Sequence, residues 1–143
     1  MDSVSSEIKR FPHSVGQNWY HVVLVTKKRG KIFQWEATKD IAEKSFEWIC
    51  ARHKIDLFAK EVMPDHVHLF VSCPPTMSIR KLFQILKGGS SYYIRKNYPS
   101  LKKYAHIWNR GTMYRSVGSV NAETVKHYIE KSNSWSKTRQ TKL

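Results

Sequence analysis

Cysteine is scarce in this chain. It has two, Cys50 and Cys73, in 143 residues, and neither stands in a C-x-x-C or C-x-x-C-H pattern. That excludes a disulfide framework, a thiolate zinc site and covalent haem attachment, and leaves both thiols as small buried hydrophobes of a reducing compartment. Acidic side chains are also few, 11 against 25 Lys and Arg, for a net charge of +14. No window approaches the roughly 20 apolar residues of a membrane-spanning helix. The opening "MDSVSSEIKRFPHSV" lacks the basic start, apolar run and small-residue cleavage site of a secretory signal, so the expected location is the cytoplasm. Internal repeats and low-complexity linkers are missing as well, which points to one domain over residues 1–143, including an N-terminal extension over 1–17.

What the chain does have is a hydrophobic fraction of 41% with six Phe, five Trp and seven Tyr, enough for a real core. Its excess of positive charge exceeds what solubility needs and implies a polyanionic partner, with nucleic acid the natural candidate. The bases are spread along the chain rather than gathered on one amphipathic helix, which favours a groove or face over a membrane surface. Lys27, Lys28, Arg29, Arg80, Lys87 and Arg110 are the candidate phosphate contacts, with Trp108 a candidate for stacking on bases. The bland alternative is a solvated basic surface.

"WYHVVLVTKKRG" predicts a strand over 19–26 and a basic turn, followed by a short returning strand at Ile32–Phe33. Ala42, Phe46 and Ile49 then recur at helical spacing within a helix over 36–53. "IDLFAKEVM" is a second strand. Pro64 and Asp65 suit the centre of a tight turn, so that His66 begins the third strand of a 57–72 hairpin. Pro74 and Pro75 end it, and a helix follows over 78–96, where Gly88 and Gly89 permit close backbone approach. "IWNRGTMYRSVGSV" predicts a last strand ending before Gly118. Asn121 would cap a final helix to about Trp135, with a frayed basic tail over 136–143. This order, βαββαβ plus a C-terminal helix, predicts an α+β ferredoxin-like antiparallel sheet with two helices on one face.

The chemistry sits in "EVMPDHVHLF". In a strand, residues i and i+2 share a face about 7 Å apart, so His66 and His68 can turn their imidazoles onto one ion while Val67, Leu69 and Val71 face the core. A bare histidine–hydrophobe–histidine is a weak signal, and two half-buried sheet histidines are the ordinary explanation. A histidine-triad nucleotide hydrolase would need a third histidine where Phe70 stands.

Taken with "YHVVLVTKKRGKIF", "LFQILKGGSSYYIRK", "WNRGTMYRSVGSV" and "VKHYIEKS", the motif closely resembles the single-tyrosine HUH transposases of short bacterial and archaeal insertion sequences, from Trp19 to Ser132. The resemblance implies that His66 and His68 hold a divalent metal, Mg²⁺ or Mn²⁺, with no organic cofactor. It implies that Tyr128, on the last helix, attacks a phosphodiester of single-stranded DNA. A phenol ionises only near pH ~10, so such a nucleophile needs a polarised phosphate and in-line geometry. The product would be a 5′-phosphotyrosine and a free 3′-hydroxyl, and reversal would rejoin strands without ATP. Where the family has a glutamine as third ligand this chain has Ser132, with Asn133 and Glu61 as other possible oxygen donors. The resemblance further implies a homodimer that recognises subterminal DNA hairpins. The rival from another class is a non-catalytic nucleic-acid-binding relative. A rolling-circle nickase would use similar chemistry but ordinarily carries a helicase segment.

Overall fold

The computed structural model describes residues 18–118 and 120–140, with side chains described as far as Lys131. The 1–17 extension and residues 141–143 of the tail lie outside the described residues. The strands are β1 (Trp19–Val25), β2 (Asp56–Val62), β3 (His66–Ser72) and β4 (Met113–Val117), and the helices are α1 (Glu36–Arg52), α2 (Ile79–Asn97) and α3 (Ala122–Gln140). The strands form one sheet in the order β2-β3-β1-β4, antiparallel at every pairing. The expected βαββαβ chain order with an added C-terminal helix is therefore present.

Period-two alternation sorts β1 and β3 onto two faces. Val22, Leu24, Val67, Leu69 and Val71 join Ala42, Phe46 and Ile49 of α1 and Leu82, Ile85, Leu86 and Ile94 of α2 in the main core. Gly89 is what lets the two helices close on each other, because a Cβ there would lie 2.2 Å from Cγ1 of Ile49, whereas one on Gly88 would meet nothing within 4 Å. Ser78 caps α2, its hydroxyl accepting from the Lys81 amide at 3.1 Å.

The other face is smaller. Trp19, Phe58, Ala59, Phe70 and Val117 pack against Val120, Val125 and Ile129, so α3 covers the side of the sheet left by α1 and α2. Strand β2 carries a register shift between Leu57 and Ala59 against β3, after which Lys60 pairs with Leu69 and Glu61 with His68. Paired residues share a face, so this bulge sends Lys60 toward α1, where it meets Glu47 at 2.7 Å, and Glu61 toward the histidines.

Three expectations need correction. Ile32–Phe33 forms a turn and not a strand; Phe33 is buried and its amide donates to the Pro64 carbonyl at 3.0 Å, so the segment plugs the core rather than extending a ladder. The last strand is shorter than "IWNRGTMYRSVGSV" suggested. Trp108 makes only an isolated bridge to Thr26, and its ring turns into the core against Phe33 and Phe46. Helix α3 continues to Gln140, beyond the expected end near Trp135.

Candidate functional site

His66 and His68 share one face of β3, with ring centroids 5.0 Å apart, and both are buried. Each is held through Nδ1. His66 Nδ1 lies 2.7 Å from Oδ1 of Asp65, and the other oxygen of that carboxylate bonds to an Arg29 guanidinium nitrogen at 3.1 Å. A carboxylate can only accept, so the Nδ1 of His66 carries the proton and Nε2 the lone pair that a metal would use.

His68 is oriented by a residue that sequence reasoning passed over. In the β1–β3 register His21 stands opposite Phe70. Its Nε2 lies 3.0 Å from Nδ1 of His68, and its ring stacks on Phe70 with centroids 4.6 Å apart and planes 5° from parallel. A metal on Nε2 of His68 needs the proton on Nδ1, which must then donate to an unprotonated His21 Nε2. The surroundings enforce this: burial first, then the neighbouring His68 and Arg115, lower the pKa of His21 from 6.5 to about 3. The only hint in the sequence was that Trp19, His21 and Val23 alternate away from the core-facing Val22 and Leu24; the pairing that brings His21 to His68 is non-local.

Tyr128 comes from α3. Asn121 caps this helix as expected, its Oδ1 accepting from the Thr124 amide at 2.8 Å, and Val125 and Ile129 seat it on the sheet. That places the half-buried Tyr128 ring edge-on to His21 at 5.8 Å and to Phe70 at 6.3 Å. Tyr128 is thus one ring away from His68. Glu61 pairs with His68 across the β2–β3 ladder. Even so, no group of three His, Cys, Asp or Glu among the described residues is disposed to hold an ion. The side chains of Ser132 and Asn133 lie outside the described residues. The donor set fits a divalent cation as two anchored imidazoles that need further oxygens from water or a phosphate.

The proposed DNA contacts are dispersed. Lys27, Lys28, Arg80 and Arg110 are exposed. Arg29 is mostly buried and committed to Asp65, which suits it to bracing the histidines rather than meeting a phosphate. Lys87 donates to the Arg110 carbonyl at 2.8 Å. Trp108 is 6% exposed and its Nε1 donates to the Ser90 hydroxyl at 2.9 Å, so burial removes it from the stacking candidates. The exposed large aromatics among the described residues are Trp35, Tyr92, Tyr104 and Tyr114.

The chain thus sets paired histidines on a four-stranded antiparallel sheet beside a tyrosine-bearing helix. The family described as "Transposase IS200 like" matches residues 14–132, and the chain belongs to it: it is a tyrosine transposase of the insertion-sequence type. It is 31% identical over 130 residues to the ISDra2 transposase TnpA of Deinococcus radiodurans, covering 87% of this chain and 90% of that one. It is 30% identical over 131 residues to the transposase for insertion sequence element IS200 of Salmonella typhimurium, covering 85% and 84%. Among solved structures, a crystal structure of a candidate transposase from Deinococcus radiodurans superposes with a TM-score of 0.68 at 27% identity, over 87% of this chain and 97% of that one. A REP-associated tyrosine transposase bound to a REP hairpin shares the fold, with a TM-score of 0.54 at 14% identity over 87% and 68%. Among the described residues no helix is long and apolar enough to cross a membrane.

Proposed function

We propose that this transposase cleaves and rejoins single-stranded DNA at insertion-sequence ends through a 5′-phosphotyrosine on Tyr128, beside a divalent cation, Mg²⁺ or Mn²⁺, held by His66 and His68. The supporting observation is the continuous chain of contacts from Asp65 and His66 through His68 and His21 to the ring of Tyr128.

Bound there, a divalent cation would polarise the scissile phosphate and stabilise the charge that develops on it. The chain's own residues do the rest. Asp65 and His21 fix the two imidazoles with Nε2 as the ligating nitrogen. Helix α3 carries the phenol, and its apolar seat on Phe58, Phe70 and Trp19 sets the nucleophile's approach. The Tyr128 phenol gives its proton to solvent as its oxygen forms a bond to phosphorus, the bond from phosphorus to the 3′ oxygen breaks, and that oxygen takes a proton from solvent and leaves as a hydroxyl. The phosphotyrosine keeps the bond's energy, so attack by a second 3′-hydroxyl reverses the step and joins new partners. A homodimer acting on hairpin-bearing ends completes the proposal, on the strength of the sequence resemblance.

The test is a covalent adduct. Labelled single-stranded element ends incubated with Mg²⁺ or Mn²⁺ should give a protein–DNA species that survives denaturation, and Tyr128→Phe should abolish it while leaving DNA binding intact. The absence of an adduct with the wild-type protein would favour a second proposal, a non-catalytic DNA-binding relative. The serine at position 132, where the resemblance leads one to expect a glutamine, supports that alternative.

A further inference from the structure

A cavity of about 650 Å³ opens beside the turn that follows β1, away from the paired histidines and Tyr128. Its walls come from that turn, from the start of α1 and from the connection after α2. The charged side chains lining it are Lys27, Lys31 and Lys103, joined by His106, with no carboxylate among the described lining residues. Its aromatic walls include Trp35, which is 60% exposed, and Tyr104, which is 39% exposed. An indole left this open makes no contribution to the core. Trp35 occupies the N-cap position of α1 yet makes no side-chain capping bond there. Capping therefore does not account for a tryptophan at this position.

The turn joins this cavity to the histidine site. Thr26 lines the cavity and follows Val25, the strand partner of His66. Its amide and hydroxyl both bond to the Asp65 carbonyl, each at 3.0 Å, and the hydroxyl also bonds to the Gly30 carbonyl at 2.7 Å. Lys28 and Arg29 are held at φ of 55° and 56°, a left-handed conformation that non-glycine residues adopt at a cost. This arrangement points Arg29 at Asp65 while Lys27 and Gly30 face the cavity.

We propose that the cavity receives one unpaired nucleotide of the DNA strand, its base against the exposed rings of Trp35 and Tyr104 and its phosphates against Lys27, Lys31 and Lys103. The choice of DNA as occupant rests on the transposase reading. The site's own chemistry supports it: aromatic faces suit bases of any sequence, and ammonium groups without carboxylates suit a phosphodiester. A duplex keeps its bases stacked and paired and offers this cavity only its backbone. The cavity therefore selects single strands.

The experiment measures binding of fluorescein-labelled (dT)20 and of a 20-base-pair duplex by anisotropy, without metal. Trp35→Ala and Tyr104→Ala should each weaken (dT)20 by about 5- to 100-fold and leave duplex affinity within about twofold, with Trp35→Phe restoring most of the loss. A single 5-iodouracil in the same oligonucleotide should photocrosslink to Trp35 or Tyr104, as located by peptide mass spectrometry. Unchanged (dT)20 affinity in both alanine variants, or equal losses for single strand and duplex, would overturn the proposal. The adduct assay on the wild-type protein reports separately. Adduct formation with Trp35-independent binding removes the cavity and keeps the nucleophile, whereas Trp35-dependent binding without an adduct does the reverse.

Discussion

The Nε2 of His21 lies 3.0 Å from the Nδ1 of His68, between a ring that stacks on it and the edge of Tyr128. One buried histidine on β1 therefore touches both the candidate ligand on β3 and the candidate nucleophile on α3. Its value lies in an accepting lone pair, which no hydrocarbon ring can supply.

His21→Phe keeps the stack on Phe70 and removes the acceptor. Loss of such an outer-shell partner commonly lowers metal affinity by about 10- to 100-fold. Titration calorimetry with Mn²⁺ should show that loss, with metal-free binding of single-stranded DNA unchanged. Equal Mn²⁺ affinity in the variant would count against His21 as the residue that orients His68.

The same histidine predicts a pH dependence of stability in the metal-free protein. Its pKa is lowered in the folded state, from 6.5 to about 3. Between those values the unfolded chain binds a proton that the folded chain refuses, so stability is complete above about pH 6.5 and falls as the pH drops toward 3. Denaturant midpoints across this window should fall with acidity, and less steeply in His21→Phe.

Adjacent glycines in α2 should respond in opposite directions. Gly89→Ala drives a Cβ to 2.2 Å from Ile49, and overpacking of this kind costs about 1–3 kcal/mol, more than the gain in helix propensity. Gly88→Ala meets nothing within 4 Å and should stabilise by up to about 1 kcal/mol. Urea unfolding of the two variants decides it.

Trp108→Phe should destabilise the fold by about 1–3 kcal/mol, because Ser90 loses the indole donor inside the core. Its affinity for single-stranded DNA should match the wild type. A loss of affinity without a loss of stability would return Trp108 to the DNA-binding surface.

Legibility in the sequence followed the range of the interactions. The β3 alternation, the α1 stripe, the Pro64–Asp65 turn and the Asn121 cap are set by neighbours within a few positions, and the structure places them as the pattern predicts. Trp108 misled because an aromatic among β-branched and basic residues suits a strand or a core plug equally well, and only the distant Phe33 and Phe46 decide. His21 was hidden for the same reason, since its role depends on a pairing with the distant Phe70. Arg29 looked like a phosphate contact until Asp65 claimed it.

The bulge in β2 decides which charged side chain joins the histidines. With strict alternation from Leu57, an ammonium at position 60 would point toward His68 and the carboxylate of Glu61 would turn to the opposite layer. One extra residue at Phe58 reverses this, so that a negative side chain accompanies the imidazoles and the lysine is neutralised by Glu47 far from them. Which charged side chain lies beside the imidazoles thus depends on the register set by one bulge. Inserting one residue after Ala59 would bring Lys60 opposite His68 and exchange attraction for repulsion while leaving both histidines in their sequence.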